Sequence, residues 1–325
     1  MMGRYIGIII FMLVLLQGTL AAASKFKGDC SQDGKLGILD VVQHLLIARG
    51  DPDDERLDFN SDGEKNIADA IGLLRYICTC PPLEYNRPLV KTIFLHHSTG
   101  NNIWNGGVPG WFDGFNADST TQYLISERAY PSGSPYPWNN YPYDYWNIWV
   151  DHAGSEPYQQ EPTLELLTAD YDIIVFKHCY PVSDIKADTG SPDVSSAVKR
   201  TENYKLQYDA LKEKMHQFPL TRFVVWTGAA RVQAATNQAN AQRAKDFFSW
   251  VVDEWDQPGD NIFIWDFHKL ETDGTLYLKN EYAASSSDSH PNSSFSDTAA
   301  PLFCRRLVDV IKGIGDQSPV TGKYE

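Results

Sequence analysis

Asp172-Ile173-Ile174-Val175-Phe176-Lys177 reads as a strand whose four central residues are all apolar, and Phe223-Val224-Val225-Trp226 repeats the pattern. Strands without polar alternation suit a sheet covered on both faces. Working outward, residues 92–96, 222–227 and 261–266 read as further strands. Residues 163–169, 202–218, 241–255 and 299–314 read as helices. Strands alternating with helices predict an α/β three-layer sandwich with a parallel sheet over residues 91–317, followed by a short tail, 318–325. Folds of this kind place their sites at the carboxyl ends of the strands.

The first strand ends in Ile93-Phe94-Leu95-His96-His97-Ser98-Thr99-Gly100-Asn101, and Ser287-Asp288-Ser289-His290-Pro291-Asn292 stands just before the last helix. A hydroxyl after the first strand and an imidazole near the end of the domain are two halves of a nucleophile–base pair. A serine at that place also reads as a plain helix cap. On these residues the chain resembles the SGNH (GDSL-like) hydrolases. The resemblance implies Ser98 as nucleophile, His290 as general base and Asp288 as the carboxylate that orients the ring. It also implies metal-free hydrolysis of esters or removal of acetyl groups, and a glycine and an asparagine at the oxyanion, Gly154 taking the glycine's place. The chain departs from the family in three places. His96-His97 replaces Gly-Asp, Asp288 stands two residues before His290 rather than three, and Lys177-His178-Cys179-Tyr180-Pro181-Val182-Ser183-Asp184 replaces the asparagine block, leaving His178 and Ser183 as candidate substitutes. If the strand runs through His96 and His97 they face opposite sides and make a poor metal pair, one being buried and the other free to line the site.

Between residues 130 and 150 lies an aromatic run: Tyr136, Trp138, Tyr141, Tyr143, Tyr145, Trp146 and Trp149. Aromatic faces suit stacking on sugar rings, and they also fill cores. Trp104, Trp138 and Trp146 are the candidate substrate contacts under the first reading.

Near the start, two acidic loops recur 29 residues apart, Asp29-Cys30-Ser31-Gln32-Asp33-Gly34 closing at Asp40 and Asp58-Phe59-Asn60-Ser61-Asp62-Gly63 closing at Asp69. Such a loop binds calcium through oxygens at positions 1, 3, 5 and 12, a backbone carbonyl at 7, and a glycine turn at 6. The candidate ligands are Asp29, Ser31, Asp33, Lys35 (carbonyl) and Asp40, then Asp58, Asn60, Asp62, Glu64 (carbonyl), Asn66 and Asp69, for two Ca2+ ions. Each loop leads into a helix pattern with one apolar face, Val41, Val42, Leu45 and Leu46, then Ala70, Ile71, Leu74 and Ile77. The two faces are expected to pack on each other, with folding dependent on metal. This duplicated, all-α loop–helix unit resembles the type I dockerin over residues 28–78. The resemblance implies attachment to a cohesin-type scaffold. Bracing of the larger domain is the other use for such a unit.

The first residues, a positive start, an apolar run from Ile6 to Leu16 and Ala21-Ala22-Ala23, read as a secretory signal (1–23). The dockerin-like module then covers 24–80 and a Pro-initiated linker 81–90. Secretion, an extracellular or scaffold-bound location, and no membrane attachment after signal removal are the expectations. A net charge of -14 disfavours nucleic acid and anionic membranes as partners. Five cysteines in a secreted chain suggest at least one disulfide, with Cys30 and the Cys78/Cys80 pair placed to staple the small module. Together these readings describe an esterase or deacetylase acting on a carbohydrate ester. A glycan-binding protein without catalysis is the alternative.

Overall fold

The computed structural model describes residues 30, 38–47, 57, 65–79, 83, 88–137 and 139–324. The signal segment, Trp138, Cys80 and the loop positions Asp29, Ser31, Asp33, Lys35, Asp58, Asn60, Asp62 and Glu64 lie outside them. Contacts divide the chain into two units, Met1–Leu73 and Leu74–Glu325. Among the described residues no helix is long and apolar enough to cross a membrane.

Each calcium-type loop is followed by a helix, α1 (Ile38–Ile47) and α2 (Ile67–Thr79). Burial repeats with the sequence. Asp40, Val41 and His44 are buried on α1, and their counterparts Asp69, Ala70 and Leu73 are buried on α2. Positions i, i+1 and i+4 span about 100° of a helix, so one narrow face is inside. The expected apolar face is therefore corrected in part: Val41 and Ala70 are inside as expected, and the side chains of Leu46 and Ile77 lie outside the described residues. Val42 and Leu45 are 49% and 44% exposed, and their repeat partners Ile71 and Leu74 are 44% and 39% exposed. The closing carboxylate at the first turn takes the inner face, and the apolar residues opposite it turn outward. His44 Nε2 and the Leu57 carbonyl oxygen lie 2.8 Å apart inside the first unit.

In the second unit five strands, β1 (Leu89–His96), β2 (Gln122–Ala129), β3 (Ile173–Lys177), β4 (Arg222–Trp226) and β5 (Ile262–Trp265), pair in the order β2-β1-β3-β4-β5. All neighbours are parallel. Helices α3 (Thr99–Asn105), α4 (Val108–Ala117), α5 (Pro142–Trp146), α6 (Leu164–Asp170), α7 (Thr201–Met215), α8 (Gln238–Trp250), α9 (Phe267–Thr272) and α10 (Ser293–Ile311) connect and follow them. One sheet face, with Ile93, Leu95, Ile174, Phe176, Val225 and Ile264, packs on Tyr145, Trp149, Tyr204, Tyr208 and Phe247. On the other, Phe94, Trp226 and Trp265 surround Phe303 of α10 at ring distances of 5.1, 5.5 and 4.9 Å. Helices on both faces explain the unbroken apolar strands and make the unit an α/β fold compatible with three layers.

Strand β2 was not expected from the sequence. It is an edge strand, with Leu124 55% exposed, so it lacks the all-apolar signature of the central strands. The last helix starts at Ser293, ahead of the expected 299, because the Asn292 side chain caps it by accepting the Phe295 N–H at 2.9 Å. Leu83, in the expected linker, is buried and its N–H bonds the Ile311 carbonyl at 2.8 Å.

Candidate active site

The strand order reverses between β1 and β3, because the chain leaves β1 to one side for β2 and returns to the other side for β3. The crevice outside the carboxyl ends at such a switch is where open parallel sheets hold ligands. Ser98 lies there, between the end of β1 and the first turn of α3. Its backbone has φ 45° and ψ -97°, a region that residues with a Cβ seldom occupy. The Asn102 N–H bonds the Ser98 carbonyl at 3.2 Å, and the Gly100 N–H bonds the His97 carbonyl at 2.8 Å. Gly100 is required by packing, since a Cβ there would lie 2.4 Å from the His96 ring.

The segment before α10 meets this turn. Ser98 Oγ is hydrogen-bonded to His290 Nε2. On the other side of the ring, His290 Nδ1 lies 2.6 Å from Asp288 Oδ1, which also accepts the His290 backbone N–H at 3.0 Å. Those two bonds hold the Asp288 carboxyl below the usual carboxylate range. The spacing of two residues is what lets a single oxygen take both the ring and the backbone donor. A carboxylate on Nδ1 fixes the proton there and leaves Nε2 as the acceptor for the serine hydroxyl. The segment is pinned by Asn102 Nδ2 donating to the Pro291 carbonyl at 3.1 Å and by the Ala284 N–H bonding the His290 carbonyl at 2.7 Å. Tyr180 presents its ring to His290 edge-on at 5.0 Å, and Arg231 lies over Tyr180 at 4.8 Å.

Beneath Ser98 the site is buried. His96 Nε2 lies 2.8 Å from Glu127 Oε2, and burial, then the Lys177 and His97 charges, bring the His96 pKa down to about 3. A neutral His96 facing a carboxylate carries its proton on Nε2. His97 is half-buried and donates to the Pro131 carbonyl, with its pKa lowered by burial. The two histidines therefore face different partners. Lys177, which ends β3, is fully buried and donates to the His97 carbonyl at 3.1 Å, with Cys179 Sγ 3.5 Å away. Burial lowers the Lys177 pKa, while Cys179 and Glu271 oppose the shift.

Other sequence candidates lie elsewhere. The Gly154 carbonyl accepts from Thr163 Oγ1 at 2.5 Å, and no hydrogen bond among the described residues joins Gly154 to Ser98, His290 or Asp288. His178 Nε2 lies 2.9 Å from the Tyr208 hydroxyl, and Ser183 donates to the Ala229 carbonyl at 2.6 Å, so both are engaged in the interior. Trp104 is half-buried on α3. Trp146 is only 7% exposed, and Tyr136, Tyr141, Tyr145 and Trp149 are buried with it. Most of the described aromatic run is core, and Trp146 has little ring face left for a sugar. Lys177 and Tyr180 were not singled out from the sequence, although a lysine closing an all-apolar strand is a visible anomaly.

The calcium-type loops are represented by Asp40, Asn66 and Asp69. Asp40 and Asp69 are buried in the first turns of their helices, and Asp69 Oδ2 accepts the Asn66 N–H at 2.8 Å. Two carboxylates withdrawn from water at repeat-related places fit the donor set of a hard cation. The side chain of Cys78 and all of Cys80 fall outside the described residues, so the expected staple does too. Cys179 and Cys304 are buried thiols.

Compared with protein-family models, with curated proteins and with solved structures, the chain finds no match in any of the three.

Proposed function

We propose that the protein is a secreted serine hydrolase of SGNH type that cleaves ester groups, an esterase or deacetylase, on an extracellular carbohydrate. The observation that carries the reading is the run of contacts from Ser98 Oγ to His290 Nε2 and from His290 Nδ1 to Asp288, at the switch point of a parallel sheet. Ser98 Oγ attacks the ester carbonyl while His290 Nε2 takes its proton. The oxyanion collapses and expels the alcohol, which leaves with the proton from His290. Water then attacks the acyl-serine by the same route and regenerates Ser98. Asp288 stays ionised throughout and holds the imidazolium in line. The strained Ser98 backbone supports the reading, because strain of this kind persists where a side chain must be presented.

The first unit serves as a calcium-dependent attachment module of dockerin type in this proposal. Asp40, Asn66 and Asp69, with the other loop positions, would hold two Ca2+ ions whose charge organises the loops. The exposed Val42, Leu45 and Ile71 support a protein partner, since apolar side chains facing water suit a docking surface. A cohesin-type scaffold is the partner the resemblance implies, and it supplies the carbohydrate setting.

The test is hydrolysis of p-nitrophenyl acetate by the wild type and by Ser98→Ala, with folding checked by circular dichroism. Turnover lost in the variant supports the hydrolase, and equal rates in the two would end it.

A further inference from the structure

We propose that Lys177 is a positioning residue for this hydrolysis: by holding the His97 carbonyl from below, it aims the Ser98 N–H at the oxygen that becomes negative in the transition state. The inference rests on Ser98 being the nucleophile and adds a residue that the family resemblance does not supply.

Three observations carry it. First, Lys177 is fully buried at the end of β3, beside β1 at the switch point, and its Nζ donates to the His97 carbonyl at 3.1 Å. Cys179 Sγ lies 3.5 Å from Nζ and the Trp226 ring 5.7 Å to the centroid, and the buried Glu271 carboxyl also acts on its charge. A lysine drawn from water and pointed at one backbone oxygen is costly unless that bond matters. Second, the His97 carbonyl also accepts the Gly100 N–H at 2.8 Å, so both of its acceptor directions are filled from the protein side. Third, the His97–Ser98 peptide is trans, and in a trans peptide C=O and N–H point opposite ways. With the carbonyl drawn toward the buried lysine, the Ser98 N–H is turned away from it. Among the described residues that N–H has no hydrogen-bond acceptor.

An unengaged backbone donor on the nucleophilic residue is what a developing oxyanion needs. The Nζ–H donor on the carbonyl of the same amide polarises it and makes the N–H a better donor. His178 and Ser183 are turned inward, so the asparagine's work falls to groups already in place. A donor set before the reaction costs no reorganisation as charge appears, and its loss is felt in kcat more than in KM.

The experiment measures kcat and KM on p-nitrophenyl acetate for wild type, Lys177→Met, Lys177→Gln and Ser98→Ala, with folding followed by circular dichroism. Lys177→Met is expected to lose about 10²-fold in kcat with KM within about two-fold, and Lys177→Gln, which keeps a donor, to recover part of the loss. Wild-type kcat in folded Lys177→Met overturns the proposal. Equal loss in kcat and binding overturns it too, since that marks general damage. Ser98→Ala separates the two failures, because an active Ser98→Ala sinks the hydrolase reading itself, whereas an inactive one beside a normal Lys177→Met sinks only the lysine's role. If neither lysine variant folds, wild-type protein labelled with 15N-lysine decides. The Lys177 Nζ resonance is expected to shift when a phosphonate traps Ser98, and a resonance indifferent to the trap overturns the assignment.

Discussion

Ser98 Oγ and His290 Nε2 share a hydrogen bond although 192 residues separate them in the chain. One stands at the start of α3 and the other just before α10, and these helices approach closely where Gly106 lies against the Ser296 backbone, leaving no room for a Cβ. If the two groups act as one unit, removing either costs about as much as removing both. Ser98→Ala, His290→Ala and the double variant are expected to lose about 10³-fold or more in kcat each, without additivity. Single-turnover assays on the three proteins check this, and additive losses would contradict it.

Asp288 is joined to Ser98 by way of the His290 ring. Its carboxyl lies below the usual carboxylate range because His290 donates to it twice, so it stays ionised as pH falls through that range. Asp288 should then add no proton of its own to the acid side of the kcat profile. Asp288→Asn cannot fix the same tautomer and is expected to lower kcat by about 10²- to 10⁴-fold. A profile with two acid-side protons in the wild type would contradict the assignment.

Gly100→Ala tests the floor of the site without touching the reacting groups. The new methyl would meet the His96 ring at 2.4 Å, and that ring is held by Glu127. Overpacking there is expected to cost about 1–3 kcal/mol, read as a lower urea midpoint. An unchanged midpoint would mean that His96 moves freely.

Chelation addresses the first unit alone. Removing calcium is expected to expose residues 24–80 to protease while ester hydrolysis persists. Replacing Val42, Leu45, Ile71 and Leu74 by serine should leave the calcium response intact and abolish capture by a cohesin. Protection unchanged by chelator would count against the metal.

Asp256 and Asp316 give the second unit a pH signature of its own. Burial, then the neighbouring Asp316 charge, raises the Asp256 pKa to about 7, and burial raises that of Asp316 to about 6. Both groups bind protons more tightly when folded, so their contribution to stability is greatest at acid pH and is lost as pH rises through about 7. Asp256→Asn is expected to reduce the loss of melting temperature between pH 5 and pH 8. A loss equal to the wild type's would contradict the assignment.

The central strands were legible because Ile173 to Phe176 and Phe223 to Trp226 are apolar on both faces, and only a doubly covered sheet uses such runs. Strand β2 was not, because an edge strand is half wet and its sequence alternates weakly. Ser98, His290 and Asp288 were visible as residue types at the right ends of the domain. Their meeting depends on how α3 and α10 pack, which no local pattern encodes. Lys177 went unread because its partner is a backbone carbonyl, and main-chain atoms leave no mark in a sequence. On α1 and α2 the burial of Val41 and Ala70 was legible, and the exposure of Val42, Leu45, Ile71 and Leu74 was not, because apolar spacing alone does not say that the closing aspartates claim the inner side.

The backbone of Ser98 sits where a residue without a Cβ would be at ease. Ser98→Gly should therefore melt about as high as the wild type or higher while being catalytically dead. Toughness and chemistry pull in opposite directions at that one position. If Ser98 is the nucleophile, selection for durability alone would favour glycine at that place and selection for turnover would favour serine.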